Sequence, residues 1–423
     1  MKKANQYQQE KLRLAQYKKE YFRKIRLLLE AIGCADLYPL IPPNEKDKMF
    51  RLRLKGINVV PGNEGGIPKS LANLFGKSIK HTVKTKRLKV MDTDYEIDYL
   101  ELETCGLALY GCFGDETNKK VYNEVNFYKH LQPFLHWFKN EARLYVLLDT
   151  EASIICRLFS NLSAGVFWFK IYNKKESKKV MSRITVQFNF RNTARKIVHI
   201  DNQPRTVFEV AWGNSDGEYQ EAFFEPKLSE CKKVIESPLK VYVQLHALIR
   251  LDERLGNALC ATTHMDIFYT FEQKMPYIYT DGKFYFDFYL LGAYKVGYLV
   301  GEIIEDDLVI RTFLFLTNNG TPESKKLNEL TGFTKVDKNY LGIDKLSVFQ
   351  NSDIASNEQL VELFTKAGCG SLFDINVNLS PNQNYNSKLS KTILNYLDTS
   401  QETITTIEEL ESALEEEAVR LGV

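Results

Sequence analysis

Five polar side chains recur at the spacing of one helix face. His246, Arg250, Glu253, Arg254 and Asn257 fall at i, i+4, i+7, i+8 and i+11, while Leu245, Leu248, Leu251 and Leu255 mark the opposite stripe. An imidazole ordinarily titrates near neutrality and can act as acid or base. A guanidinium fork matches two oxygens of a phosphate. A row of such groups facing outward from a buried stripe suits chemistry on a phosphodiester, with Glu253 either a second acid/base group or a partner for Arg250 or Arg254.

Three aromatic-rich runs follow, Phe284–Leu290, Ala293–Ile304 and Leu308–Leu316, separated by Gly292 and by Glu305-Asp306-Asp307. Connections this short predict an antiparallel meander. Alternation sets Tyr285, Asp287 and Tyr289 against Phe284, Phe286 and Phe288. It also puts Arg311 on the face of Val309, Phe313 and Phe315, opposite Thr312. Each strand contributes ionisable groups, Tyr285 and Asp287, Lys295, and Arg311, that one face gathers if the register aligns them; Thr312 is a candidate hydroxyl donor to a phosphate and Tyr285 a stacking surface for a base. Thr317 and Thr321 close the block in Thr317-Asn-Asn-Gly-Thr-Pro-Glu323.

A helix with His-x3-Arg-x2-Glu-Arg, then a small antiparallel sheet ending in Arg311-Thr312-Phe313 and a Gly320-Thr-Pro-Glu323 turn, resembles the compact metal-independent ribonuclease toxins. This loose group includes barnase, the EndoU-type nucleases, the ribonuclease colicins and RelE. The resemblance covers residues 239–323 and implies cleavage of RNA by attack of the ribose 2′-hydroxyl on the adjacent phosphate. The products would carry a 2′,3′-cyclic phosphate and a 5′-hydroxyl. On that expectation His246, Arg250, Glu253, Arg311 and Thr312 are catalytic, and Arg254, Lys295, Tyr285, Thr317 and Thr321 bind substrate. A toxin or antiphage effector of this kind implies an inhibitor or regulatory protein as a partner.

The elements that must position these groups read as an α+β chain in four segments. Residues 1–90 are helical and basic, 91–236 form a β-rich antiparallel middle domain, 237–335 hold the helix and meander, and 336–423 are a helical tail with an acidic end. At 423 residues the chain is too long for one ordinary domain. Its 26 Phe and 23 Tyr favour pleated surfaces. Residues 1–90 carry 21 Lys/Arg against 7 Asp/Glu, and the rest is net acidic. That asymmetry points to RNA or another anionic partner for the first segment, contacted by Arg23 and Lys24 on a long amphipathic helix and by Lys80, Lys84, Lys86 and Arg87. Leu14, Tyr17, Tyr21, Ile25, Leu28 and Ile32 form that helix's apolar stripe.

Cofactor motifs are absent: Pro61-Gly-Asn-Glu-Gly-Gly66 fits neither a Walker loop nor a dinucleotide fingerprint. His246, Cys260 and His264 lack a fourth zinc ligand, so no metal site is assigned. Seven scattered cysteines without Cys-x-x-Cys indicate a reducing compartment. No apolar run approaches the ~20 residues that span a bilayer, and Lys2-Lys3 lead into a polar helix, so the expectation is a cytoplasmic protein that does not enter a membrane. Beside the ribonuclease stand two alternatives: a non-enzymatic nucleic-acid-binding protein, and a structural or interaction protein of a phage or mobile element. The final segment has seven Glu against one Arg from Glu402 on, and could compete for the basic segment.

Overall fold

Strands drawn from distant parts of the chain share one sheet, and this decides how the α+β chain divides. A computed structural model describes residues 2–62, 66–113, 127–140, 143–177, 180–213, 216–227, 238–256, 260–375 and 388–397. Its contacts define two units, not the four segments read from sequence. The first comprises Met1–Cys156, Phe167–Arg191 and Asn214–Glu218; the second comprises Arg157–Val166, Asn192–Gly213 and Tyr219–Val423. The expected acidic terminal helix lies outside the described residues. No described helix is long and apolar enough to cross a membrane.

The first unit is built on helices α1 (Lys2–Ala31), α2 (Leu37–Leu40), α3 (Pro43–Leu52), α4 (Lys69–Thr85), α5 (Tyr99–Phe113), α6 (Gln132–Asn140) and α7 (Arg143–Phe159). Strand β1 (Ile57–Pro61) runs parallel to β5 (Val180–Asn192), whose other neighbour is β4 (Gly165–Ser177). A small antiparallel pair joins β2 (Arg87–Lys89) to β3 (Glu96–Asp98). The stripe of α1 is buried only from Tyr21 onward; Leu14 and Tyr17 are exposed. Phe50-Arg-Leu closes α3, whose first turn begins at Pro43.

Leu107–Cys112 and Tyr145–Leu148, read as strands of a β-rich middle domain, are helical. In α5 the buried Leu102, Cys105, Leu109 and Cys112 recur every three or four residues, as do Leu144, Leu147, Leu148, Ala152 and Ile155 in α7. A short apolar window cannot separate a buried helix from a buried strand; the longer window does.

The second unit centres on a sheet of order β12-β13-β14-β15-β11-β7-β6, with β10 also pairing β11. Strands β6 (Arg195–Ile200) and β7 (Gln203–Glu209) form a hairpin. Its two-residue turn, Asp201-Asn202, has φ of 52° and 60°, which these side chains tolerate best after glycine. The pair β8 (Ala211–Gly213) and β9 (Tyr219–Glu221) stands apart, and β10 (Phe223–Phe224) precedes β11 (Leu239–Gln244). The expected three-stranded meander is β13 (Lys283–Leu290), β14 (Tyr294–Ile304) and β15 (Asp307–Phe315), and β12 (Tyr277–Thr280), not expected from the sequence, adds a fourth strand on β13; all are antiparallel. Between β11 and the meander lie helices α8 (Leu245–Leu255) and α9 (Cys260–Glu272).

Phe284, Phe286 and Phe288 are buried in the main core of this unit beside Phe268 and Phe271 of α9. Each such side chain contributes about 1.5–3 kcal/mol. The later helices α10 (Pro322–Thr331), α11 (Lys335–Leu341), α12 (Leu346–Asn351) and α13 (Glu358–Lys366), with helical residues 389–397, supply Leu327, Leu341, Leu346, Phe349, Leu360 and Ile393 to the same core. The tail is therefore part of this unit.

Two β-bulges reset the phase of the meander. Between Val300↔Thr312 and Gly301↔Ile310 the ladder skips Arg311, an extra residue on β15. Leu308 and Ile310 before the bulge, and Phe313 and Phe315 after it, all enter the main core. Arg311 therefore does not share the face of Phe313 and Phe315, as strict alternation required. It and Thr312 are both half-buried and lie off the core face. A second bulge leaves Val296 extra on β14.

Helix α9 holds the β13–β14 turn of this meander, and separately the Leu162 segment, through buried polar groups. Asp266 Oδ2 accepts the Leu291 N–H at 3.0 Å, and His264 Nδ1 accepts the Leu162 N–H at 3.1 Å. Burial pushes the Asp266 carboxyl up to about 7 and the His264 ring down to about 4. The signs oppose. The Asp266 contribution is fully present below the unfolded value of about 3.9 and is lost as pH rises through 7; that of His264 is lost as pH falls from about 6.5 through 4. Asp266→Asn should abolish the loss between pH 5 and 8, measured as the protection factors of second-unit amides, corrected for intrinsic exchange, at both. An unchanged difference between the two pH values would show that Asp266 does not cause it.

Candidate functional site

Strand β11 runs straight into α8, whose buried stripe is Ala247, Leu248, Leu251 and Leu255. Leu245, expected on that stripe, is 45% exposed because it sits at the first turn, beside the sheet's end. The helix stops at Gly256, whose φ of 94° a side chain would rarely adopt. Asn257 lies outside the described residues.

The parallel pairing of β11 with β15, Val243 opposite Ile310, brings the start of α8 beside the β15 bulge. His246, Arg311 and Thr312 consequently line one cleft of about 470 Å³, together with Arg205, Lys283 and Glu302. His246 is exposed there. The Arg311 guanidinium donates through Nη1 to both oxygens of Glu302 at 3.0 and 2.8 Å, and through Nη2 to Asp201 at 2.7 Å. Burial alone would favour loss of its proton, but these carboxylates outweigh it and hold the pKa above the ordinary arginine value. Lys283 approaches Glu302 at 3.8 Å. Glu302 was not singled out in the sequence. Its position opposite Val309, two steps from the bulge, is a matter of register and carries no motif.

Thr312 also lines a second cleft, of about 340 Å³, with Arg250, Arg254, Lys335 and Lys338. The two arginines border a third, wider hollow on which Glu253 and Asp344 open. Arg250 Nη1 donates to Glu253 at 2.7 Å, an exposed i, i+3 pair of the kind that contributes little. Arg254 is different: it forms an ion pair with the buried Asp344 and also reaches the Asp344 carbonyl at 3.4 Å. Its primary partner is this carboxylate, which changes its expected role from ligand group to anchor.

Other expected substrate groups have their hydrogen bonds committed within the protein. Thr317 lines the second cleft, but it is fully buried and its hydroxyl donates to the Ile343 carbonyl at 2.8 Å. Thr321 caps α10, accepting the Ser324 N–H at 3.0 Å while lying 2.5 Å from the Leu316 carbonyl. Lys295 bonds Asp287 at 2.9 Å and the Tyr298 hydroxyl at 2.8 Å, with Glu323 at 3.4 Å. Tyr285 packs half-buried on the main core. Neither Lys295 nor Tyr285 lines these clefts. These four were chosen from alternation and turn type, which do not show where a side chain's hydrogen bonds end.

No protein-family model, curated protein or solved structure matches the chain.

Within the first unit, Lys24 pairs with Glu101, Arg23 with Glu20 at 2.6 Å, and Lys86 with Glu151 at 3.2 Å. Arg87 donates to the Glu96 carbonyl at 3.2 Å. Lys80 and Lys84 stand exposed on α4. The basic count of this segment thus overstates the cations available to a partner. Among the described residues, no group of three or more His, Cys, Asp or Glu side chains could hold a metal ion. The ring of His264, weighed with His246 as a zinc ligand, is 2% exposed and engaged by Leu162.

Proposed function

We propose that the second unit is a metal-independent endoribonuclease acting in the cleft beside the β15 bulge. What supports this is the convergence of His246, Glu302, Arg311 and Thr312 on one cavity from three separate elements, α8, β14 and β15. Cleavage by 2′-hydroxyl attack needs a base, an acid and cations for the developing charge. In this reading Glu302 takes the 2′-hydroxyl proton and His246 gives a proton to the departing 5′-oxygen. The 2′-O–P bond forms as the P–O5′ bond breaks. Arg311 and Lys283 hold the phosphate oxygens, and Thr312 donates to one of them. An incoming phosphate competes with Glu302 for the Arg311 fork, so substrate binding itself would release the base. Glu302 thus takes the carboxylate role that the sequence assigned to Glu253.

The test is a labelled single-stranded RNA incubated with the full chain in EDTA. The expected result is cleavage to 2′,3′-cyclic phosphate ends. It should fall at least ~100-fold in His246→Ala and in Glu302→Gln, the range of one general acid or base. Arg311→Lys should retain more activity than Arg311→Ala. Absence of cleavage by the unaltered chain would overturn the proposal. Binding without cleavage would move the reading to a non-enzymatic nucleic-acid-binding protein.

A further inference from the structure

The second cleft has a property that the catalytic reading does not use. Among the described residues its charged lining is all basic: Arg250, Arg254, Lys335 and Lys338, with Asn318 and Asn339 among the neutral groups and no aspartate or glutamate. Two of these cations are braced from outside it, Arg250 by Glu253 and Arg254 by Asp344. A guanidinium has five N–H donors, so a carboxylate on one edge leaves others to face the cleft.

Lys338 is the decisive group. It is 2% exposed, yet among the described residues its ammonium donates only to neutral oxygens, Ser324 Oγ at 2.6 Å and Asn328 Oδ1 at 2.7 Å. An ammonium has three donors, and a buried charge without an opposite charge is unfavourable. Burial holds the Lys338 pKa down to about 8. Burial also lowers that of Arg254, with Arg250 adding to the effect. An anion entering the cleft would supply the missing countercharge to groups already fixed in place.

We infer that this cleft binds a phosphate group of a nucleic-acid strand whose neighbouring phosphate lies in the His246–Arg311 cleft, Thr312 being common to both. The inference gives the proposed nuclease a second phosphate subsite. It rests on that reading for the strand's presence in the first cleft and not for cleavage. A DNA strand, which lacks the 2′-hydroxyl, therefore separates the two.

The experiment measures binding of a fluorescent oligothymidylate to the full chain as a function of salt. Lys335 is exposed at the start of α11, so Lys335→Glu leaves the core intact. It should weaken binding at least ~10-fold, and Lys335→Gln should reduce the slope of log affinity against log salt by about 0.7, one single-strand phosphate contact. Lys338→Met, if it folds, should weaken binding comparably. In the unaltered chain, affinity should fall as pH rises through about 8 and Lys338 loses its proton. Besides the cleft's other cations, the groups acting on Lys338 are Asp337 on its own helix and Cys369; the Cys369 thiol is pushed up to about 12, beyond this window.

Equal strand affinity in Lys335→Glu and the unaltered chain overturns the inference. So does inorganic phosphate that binds in a Lys335-dependent manner without displacing the strand, since that outcome assigns the cleft to a free anion. Strand binding with this salt and pH dependence, but no RNA cleavage, supports the subsite while removing the nuclease.

Discussion

Gly297→Ala should unfold the meander that carries Arg311. Gly297 lies on β14 opposite Phe315, one residue past the bulged Val296. A β-carbon there would stand 2.1 Å from the Leu314 carbonyl oxygen and 2.8 Å from the Phe313 ring. The oxygen belongs to the neighbouring strand's backbone and cannot turn aside. The ring is fixed by an edge contact with Phe288, centroids 5.5 Å apart. Overpacking of a core typically costs about 1–3 kcal/mol, and a clash with backbone belongs at or above the top of that range. Because the chain has two units, a single unfolding midpoint would mix them. Hydrogen exchange of the amides in β13, β14 and β15 is the appropriate measurement. Faster exchange confined to the second unit is expected, and unchanged protection would mean that the strands separate without cost.

Arg254→Met should be nearly as damaging, for an electrostatic reason. Asp344 is 3% exposed, and its Oδ1 is buried without a hydrogen-bond partner; Oδ2 carries the pair with Arg254. Removing the guanidinium leaves a buried carboxylate with neither oxygen compensated, a change that costs about 3–5 kcal/mol. The double variant Arg254→Met, Asp344→Asn removes the stranded charge and should recover most of that loss. Exchange protection across the second unit, in both singles and the double, gives the coupling directly. If the double variant is no more stable than Arg254→Met, the pair is not what the site requires. If the coupling is found, any loss of RNA binding in Arg254→Met reports stability before it reports recognition.

The parts of this fold legible in the sequence were those set by local pattern. Alternating aromatics located β13, β14 and β15 to within a few residues, and the Leu248–Leu251–Leu255 stripe located α8. The helical character expected of residues 336–423 holds in α13, Glu358 to Lys366, with Asn357 as its cap. What was not legible is what depends on one residue or on distant pairing. A one-residue bulge has no compositional signature, yet it moves Arg311 off the face of Phe313. Glu302 enters the candidate cleft through register alone. Lysines and arginines of the first 90 residues looked available because the carboxylates that engage Lys24 and Lys86 lie 77 and 65 residues away. The mostly buried α5 lacks the polar face that would have distinguished it from a strand, and in α7 the exposed Asp149 and Thr150 lie just beyond the Tyr145–Leu148 run.

The parallel seam between β11 and β15 also bears on how the second unit comes into being. Strands β12 to β15 meet their neighbours across short turns, whereas Val241 must find Leu308 with two helices and three strands intervening. Closing so long a loop loses entropy before any contact repays it, so local hairpins precede such a pairing. Until β11 docks, β15 is an open edge with unpaired backbone groups. His246 follows β11 and Arg311 lies on β15, so the two walls of the cleft meet only when this last pairing closes. A nascent or partly unfolded chain would hold every proposed catalytic side chain and still be inert, its activity tied to the completion of folding.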